Sequence, residues 1–231
     1  MTLIRKLSSL FQFRHRKLQP ENIQWLSYHI PKTAGSSLRQ MLYKEFGRSS
    51  IFSVYRPDEA KTFGKGNAIP IRIGASVVHG HFKPHPKHSE LFPNAHSMVW
   101  VRDPIQRIWS LVGHLLDLQW KHPHYEMLHH LYVTKGVANQ HDIVERIIKD
   151  NSIPYMVDAY SRFFSAVDIQ DLSFVGSMQN FSASIDSLNK EFDLSLKPLH
   201  RNSSTRAGMP GSLDNLKYLL EHEYSLVDDY L

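Results

Sequence analysis

The chain has 231 residues, with 27 Lys and Arg against 22 Asp and Glu, 15 His and no Cys. This length suits one large domain or two small ones and is enough for a sizeable core. The absence of cysteine excludes disulfides, thiolate metal sites and cysteine nucleophiles. It also favours a reducing compartment, so we expect a cytoplasmic protein.

The charge pattern predicts two regions, a basic arm at residues 1–20 and an α/β domain at residues 21–231. The arm holds five basic residues and no acid, so the formal net charge of +5 belongs to it and the domain is balanced. A balanced domain has no global basic field, and we therefore expect no nucleic-acid partner. The arm could touch an anionic membrane surface weakly, although a solubilising arm is the simpler interpretation. No apolar stretch suits a signal peptide or a transmembrane helix.

A strand and a helix follow each other near the start of the domain, joined by a turn of small, hydroxylated residues. Residues 25–30 are apolar and aromatic, and the pattern from Leu38 to Phe46 has helical spacing, with a stop at Gly47. The turn between them, residues 31–37, has the sequence PKTAGSS. The sequence therefore predicts a strand-turn-helix unit at this point.

This turn has the chemistry of a phosphate-binding loop. The first N–H groups of a helix lack internal partners and the helix dipole favours an anion there. Gly35 would let backbone approach an anion, Lys32 supplies a mobile charge, and Thr33, Ser36 and Ser37 supply hydroxyl groups. The loop is not the G-x-x-x-x-G-K-[ST] type, because Lys32 precedes the glycine. A Ser-capped helix after a strand also occurs without any ligand, and this alternative stays open.

A second strand-turn-helix unit is predicted around residue 102. Residues 97–101 form the best strand pattern of the chain, Asp103 suits a helix N-cap and Pro104 suits the first helical position. Arg102 would stand at the carboxyl end of the strand, where ligands of open α/β sheets collect. The alternative is that Arg102 and Asp103 form an ion pair that fastens the turn.

Two histidines flank a glycine between these units. Residues 48–73, with scattered Pro and Gly, are predicted mostly as loop. A strand is predicted over residues 71–78, and His79, Gly80 and His81 follow it. Both imidazoles would lie on one side of the chain if the strand continued. An H-x-H pair can bind a metal ion, but no matched carboxylate or cysteine set accompanies it, so we expect no metal. Taken alone, each histidine is more simply a structural residue.

Three stretches, in this order along the chain, resemble motifs of the glycan sulfotransferases, in the branch that includes heparan sulfate 2-O-sulfotransferase and the Golgi chondroitin and HNK-type enzymes. Residues 30–38 (IPKTAGSSL) resemble the family's 5′-phosphosulfate loop. Residues 79–82 (HGHF) fall where that branch carries a Gly-His pair, and residues 101–110 (VRDPIQRIWS) resemble its 3′-phosphate motif. A fainter likeness continues to about residue 206. The family's luminal anchor is missing, which favours a bacterial relative.

The resemblance implies a P-loop-like sulfotransferase fold, a single α/β domain with a central, mainly parallel sheet flanked by helices. It implies transfer of a sulfonyl group from 3′-phosphoadenosine 5′-phosphosulfate (PAPS) to a hydroxyl, without a metal ion. Arg102 and Ser110 would hold the 3′-phosphate, and Lys32 would also stabilise the leaving oxygen. The loop that would hold the 5′ end consists of Lys32, Thr33, Ala34, Gly35, Ser36 and Ser37.

Arg201, Ser203 and Ser204 lie in a polar, basic stretch at residues 197–211. Sulfotransferases commonly close a loop over the nucleotide here, which implies that these three residues contact the donor. A plain linker to the last helix, which is predicted over residues 212–230, is an equal alternative.

The acceptor hydroxyl must lose a proton, and histidine, with an unperturbed pKa of about 6.5, suits that task. The resemblance favours His81 over His79, with the carboxylates of Asp58 and Glu59 as the fallback. The resemblance also favours a carbohydrate acceptor, with a small hydroxylated metabolite as the alternative.

Residues 117–140 have no clear period and are predicted to form an irregular insertion. Trp120 and Tyr125 could stack on a sugar ring there, but packing of the insertion onto the body is the simpler interpretation. Two other functions stay open. One is a non-catalytic nucleotide- or anion-binding module, and the other is a nucleotide-kinase-like phosphotransferase, which the missing Gly-Lys-Ser/Thr order disfavours.

Overall fold

The computed structural model of the chain describes residues 20–137, 139–199 and 208–231. The predicted basic arm, apart from Pro20, therefore lies outside the described residues. So do Arg201, Ser203 and Ser204 of the predicted donor-contacting loop. Pro20 opens a 3-10 turn, Pro20–Asn22, that leads into the first strand.

Within the described ranges, five short strands form one fully parallel sheet. Their order across the sheet is β2-β3-β1-β4-β5, so β1 is flanked by β3 and β4. The prediction of an α/β domain with a central parallel sheet is confirmed. The strands are β1 (Trp25–Tyr28), β2 (Ile51–Val54), β3 (Val77–Gly80), β4 (His96–Val101) and β5 (Phe174–Ser177).

The described ranges contain ten α-helices. A long 3-10 helix, Gly211–Leu220, precedes the last of them. The helices are α1 (Gly35–Phe46), α2 (Pro57–Phe63), α3 (Lys87–Leu91), α4 (Pro104–Leu118), α5 (Tyr125–Leu131), α6 (Gln140–Asp150), α7 (Pro154–Val157), α8 (Ala159–Phe163), α9 (Phe181–Phe192) and α10 (Glu221–Val227).

Both faces of the sheet are buried, because consecutive strand residues point to opposite sides. Trp25 belongs to a buried cluster with Leu38 of α1 on one face. Its neighbour Leu26 belongs to another cluster, with Phe63 of α2 and Tyr160 of α8, on the other face. A parallel sheet covered by helices on both faces needs apolar side chains on both, which explains the apolar runs of β1 and β4.

Three sequence predictions differ from the structure. Residues 48–73, predicted mostly as loop, contain β2 and α2, because the scattered Pro and Gly residues hid a four-residue edge strand. β3 is Val77–Gly80 and not residues 71–78, so His79 is part of the strand. The helix predicted at residues 212–230 begins as the 3-10 helix and becomes α10 only at Glu221.

No helix in the described ranges combines the length and the apolar character that crossing a membrane would require.

Candidate active site

The three sequence motifs lie at one edge of the sheet, because each is at the carboxyl end of a neighbouring strand. Tyr28 of β1 pairs with Gly80 of β3 on one side and with Val99 of β4 on the other. The Lys32 loop follows β1, and Arg102 follows β4. Neighbouring strands are about 4.8 Å apart. The His-Gly-His segment, the Lys32 loop and Arg102 therefore lie side by side at the edge where α/β sheets bind ligands.

The turn between β1 and α1 has a strained backbone. Lys32 and Ala34 have φ angles of 74° and 62°, values that L residues seldom adopt and that cluster at functional turns. The buried Thr33 hydroxyl donates to the Ile30 carbonyl at 2.9 Å, so it fastens the turn and does not face a ligand. Ala34 caps α1 without a side-chain hydrogen bond. The Ser-capped alternative is thus not observed, since the N-cap residue is an alanine and its side chain cannot bond the first N–H groups of α1.

Gly35, the first residue of α1, lies against the ring of His29. A Cβ atom at residue 35 would be 1.8 Å from Nε2 of His29. The sequence predicted that this glycine opens the backbone to an anion. In the structure, the His29 imidazole beside the start of α1 leaves no room for a side chain at residue 35. Of the serines that follow, Ser36 is exposed and Ser37 is buried.

A chain of hydrogen bonds joins the ends of β1, β2 and β3. Oγ of Ser27 lies 2.9 Å from Nδ1 of His79, and Nε2 of His79 lies 2.8 Å from the Tyr55 hydroxyl. The same hydroxyl lies 3.0 Å from Nδ1 of His29. Because Tyr55 has one proton to donate, at most one of the two imidazoles can accept from it and at least one must donate to it. A neutral His29 carries hydrogen on Nε2, beside α1, only if its Nδ1 is the atom that accepts from Tyr55.

His79 and His81 lie on one side of the chain, as predicted, but differ in exposure. The ring centroids of His29 and Tyr55 lie 5.6 and 5.8 Å from that of His79, and 4.5 and 4.7 Å from that of His81. His79 is fully buried and both its ring nitrogens are hydrogen-bonded. His81 is exposed. The His81 ring is therefore accessible from solvent, whereas His79 is enclosed.

Burial and positive charge keep these histidines neutral. Burial, then Arg39 and His81, lowers the pKa of His79 to about 3. Packing against neighbouring rings, then the charge of Arg39, lowers the pKa of His81 to about 4, although its open surface limits the contribution of burial. Burial also lowers the pKa of His29 well below its ordinary value. The unperturbed value near 6.5 expected from the sequence is thus corrected for His81, which is neutral at pH 7.

Arg39 of α1 is a cation that the sequence analysis did not select. Its Cζ atom lies 5.3 Å from the centroid of the Tyr55 ring. Its Nε is buried without a hydrogen-bond partner among the described residues, and its charge lowers the pKa values of the three histidines of the site. Arg39 lies four residues after Gly35, on the same helix face. This spacing is the signal that could have identified it.

The backbone of Arg102 is held by the hydroxyl of Tyr160. This hydroxyl accepts from the Arg102 N–H at 2.9 Å and donates to the Arg102 carbonyl at 2.6 Å. Asp103 caps α4, as predicted: its carboxylate accepts from the Gln106 N–H and from the Tyr224 hydroxyl, both at 2.8 Å. The ion pairs of the described ranges do not include one between Arg102 and Asp103. The half-buried Arg102 guanidinium is therefore not committed to fastening the turn.

The buried carboxylate of Glu223 anchors Tyr160 from behind. It accepts from the Tyr160 N–H at 2.7 Å and from the N–H and hydroxyl of Ser161 at 2.8 and 2.7 Å. Arg107 of α4 is also buried, donates to the Met156 carbonyl and lies 5.6 Å from the centroid of the Tyr160 ring. Tyr160 and Glu223 were not predicted, because their partners are distant in the sequence and no local pattern reports them.

The remaining predicted residues are less central. Ser110 lies half-buried in the second turn of α4. The fallback carboxylates serve ion pairs at the start of α2, where Asp58 lies 2.9 Å and Glu59 3.7 Å from Arg56.

Within the described ranges, the side chains that could gather around a metal ion are those of His141, Asp142 and Glu145 on α6. They already bond to protein groups: Asp142 with Asn139, and Glu145 with Lys149. They lie on α6 and belong to none of the three motifs.

A scan against protein-family models finds no match to the chain, and no curated protein is significantly similar to it in sequence. The resemblance to the sulfotransferases thus rests on the three sequence motifs alone.

Proposed function

We propose that the chain is an enzyme, a sulfotransferase that moves the sulfonyl group of PAPS to a hydroxyl of an acceptor, a carbohydrate by preference. The observation that supports this most is the row at the sheet edge, with His81 after β3, Lys32 after β1 and Arg102 after β4. Sulfonyl transfer needs a base for the acceptor, a cation at the transferred group and a second cation for the 3′-phosphate. The row supplies them in that order.

The donor would bind through its two anionic ends. The N–H groups at the start of α1, together with Lys32, suit the 5′-phosphosulfate, because a helix N-terminus favours negative charge. Arg102 suits the 3′-phosphate, because a guanidinium can donate two parallel hydrogen bonds to phosphate oxygens. Ser110 would add a hydroxyl donor, and Arg39 adds a charge behind the loop.

In the proposed step, the acceptor oxygen forms a bond to sulfur while the bond between sulfur and the phosphate oxygen breaks. The acceptor proton passes to the neutral imidazole of His81, and negative charge grows on the leaving oxygen of the product, 3′-phosphoadenosine 5′-phosphate (PAP). Lys32 would stabilise that charge. As in phosphoryl transfer, positioning and charge stabilisation contribute most, and the step as proposed uses no metal ion.

A thermal-shift comparison of PAP, ATP and AMP tests the donor assignment, because a ligand that binds only the native state raises its stability. Selective stabilisation by PAP supports the proposal, and selective stabilisation by ATP would favour a kinase. Release of PAP from PAPS with a panel of sugars then tests the chemistry. The absence of cysteine is compatible with the cytoplasm, which we keep as part of the proposal.

The second candidate is a module that binds PAP or another anion without catalysis. His79 is enclosed and His81 has a low pKa, so both are limited as bases, which also suits a site that binds an anion without catalysis. Selective PAP binding without turnover on any acceptor would favour this module.

A further inference from the structure

A groove of about 560 Å³ lies in the insertion after α4. It is formed by residues around the 3-10 turn Gln119–Lys121 and α5, with Tyr155 of α7 on its far wall. The sequence predicted an irregular insertion here, and the structure shows two short helical segments that create a concave surface.

Trp120 lines this groove and is 65% exposed. Its ring is held in place by two others, since the Tyr125 ring packs edge-on at 5.1 Å and the His129 ring lies at 4.8 Å. The predicted packing role is confirmed for Tyr125, which is 6% exposed, and is wrong for Trp120. An exposed indole held in one orientation favours binding of a flat apolar ligand surface, because burying large aromatic area is favourable. Since the neighbouring rings already restrict the indole, ligand binding would cost little further side-chain entropy.

The polar groups around the indole suit a ligand rich in hydroxyls. Glu126 and His130 are exposed on α5 and line the groove, as does His124. The Tyr155 hydroxyl is shielded from solvent and has no hydrogen-bond partner among the described residues. The His124 ring packs beside the Tyr155 ring, with the two centroids 5.2 Å apart.

His122 connects the groove with α4. Its ring lies 5.4 Å from that of His124, which lines the groove, and 5.7 Å from that of His114 on α4. Burial, then the charges of His124 and Lys32, lowers the pKa of His122. The groove therefore packs, through these rings, against the helix that begins at the turn of Arg102.

We propose that this groove binds an uncharged pyranose ring of the acceptor, stacked on Trp120 and hydrogen-bonded through its hydroxyls to Glu126 and His130. The charge of the groove decides against an acidic sugar, since its lining residues include one carboxylate, Glu126, and no Lys or Arg. The role of the bound sugar as acceptor rests on the proposed function; the binding itself does not.

Direct titration tests the binding without any donor. Of the four tryptophans, Trp25 and Trp100 are buried and Trp109 is half-buried, so a stacked sugar should change the emission of Trp120. The probes are cellotetraose, maltotetraose and chitotetraose, with a uronate-containing tetrasaccharide for comparison. We expect a saturable change with at least one neutral probe and at least tenfold weaker binding of the uronate probe. Binding of the uronate probe alone, or no saturable change with any probe, would overturn the proposal.

Variants locate the binding. Trp120→Ala should weaken it about tenfold or more by calorimetry, while Tyr218→Ala, which removes an aromatic residue 71% exposed outside the groove, should leave it unchanged. Tyr155→Phe should weaken it less than Trp120→Ala and should not lower thermal stability, because the hydroxyl has no partner to lose. Equal affinity in wild type and Trp120→Ala would overturn the site.

The two proposals fail separately. If PAPS turns over and Trp120→Ala leaves the acceptor KM unchanged, the groove assignment falls and the sulfotransferase stands. If neutral sugars bind at Trp120 and PAP does not bind, the groove stands as a sugar site and the sulfotransferase falls.

Discussion

Nε2 of His29 lies 1.8 Å from the position that a Cβ atom on Gly35 would occupy. We therefore expect Gly35→Ala to push the imidazole or the start of α1 aside. Overpacking of this kind costs about 1–3 kcal/mol in the free energy of unfolding. PAP should also bind more weakly, because the displaced groups form the proposed 5′ site. Urea unfolding and PAP titration measure the two effects.

Gly211→Ala is the matched control, since a Cβ atom there would meet nothing within 4 Å. Its free energy of unfolding should stay within about 0.5 kcal/mol of wild type. A Gly35→Ala protein as stable as this control, with wild-type PAP affinity, would show that the contact with His29 does not constrain the loop.

Lys32→Ala should lower kcat by about 10²–10³-fold, the range for removing a group that stabilises transition-state charge. PAP affinity should fall much less, because the charge on the leaving oxygen develops mainly during transfer. Lys32→Arg is the control, since it retains the charge at the same strained position. A rise in donor KM with kcat intact would make Lys32 a binding residue only.

Arg102→Ala should weaken PAP more than tenfold and leave the binding of adenosine 5′-phosphosulfate nearly unchanged, because only PAP carries the 3′-phosphate. Isothermal calorimetry with both ligands measures the difference. Tyr160→Phe should have a smaller effect on PAP, since it removes the hydroxyl that holds the Arg102 backbone and keeps the guanidinium. Equal losses for both ligands would place Arg102 outside the 3′ site.

His81→Ala should leave PAP affinity nearly intact and lower turnover about 10²–10⁴-fold. In wild type, the rate should fall as pH drops through the pKa of His81, because the imidazolium cannot accept a proton. That pKa is about 4 in the free protein, and the bound anionic donor should raise it. The acid limb of kcat should thus lie at higher pH than that of kcat/KM. Identical limbs, or a limb that survives in His81→Ala, would argue against this base.

His79→Ala is the control for the base. It should leave the acid limb in place and lower the free energy of unfolding by about 2–5 kcal/mol, because it opens a cavity and removes the buried partner of Ser27 and Tyr55. Loss of the acid limb in this variant, with the limb kept in His81→Ala, would exchange the two roles.

Acid should destabilise the fold through its buried histidines. Burial lowers the pKa of His79 to about 3 and that of His88 to about 4. The unfolded chain, with pKa values near 6.5, binds protons that the native state does not. The stabilisation of the native state by these neutral histidines is therefore complete above about pH 6.5 and is lost as pH falls towards 4. Urea unfolding at pH 7, 6 and 5 should show this slope, and the slope should be smaller in His88→Gln.

The two strand-turn-helix units were predictable because their signals are local. The Asp103 cap, the proline after it and the helical spacing after Gly35 all act within a few residues. Tyr55 was missed because it directly follows β2, a strand too short to stand out among prolines and glycines. The difference in exposure between His79 and His81 depends on the packing of His29 and Tyr55, which follow other strands. No pattern within the His-Gly-His segment could predict this difference.

Tyr160 and Glu223 illustrate a different limit. Tyr160 bonds the backbone of Arg102, and Glu223 bonds Tyr160, in each case about sixty residues away in sequence. A single Tyr or Glu in a helical pattern does not indicate such a distant partner.

The bonds that Glu223 and Tyr224 make to Tyr160 and Asp103 tie the turn at Arg102 to α10, the last α-helix of the chain. The hydrogen-bonded groups at the ends of β1, β2 and β3 have no such tie, since they all lie before residue 82. A chain that ends before α10 would therefore lose these supports of the turn at Arg102 and keep the residues of the hydrogen-bonded chain. A frameshift or a proteolytic cut near the C-terminus would thus act on the proposed 3′-phosphate site, more than one hundred residues away in sequence.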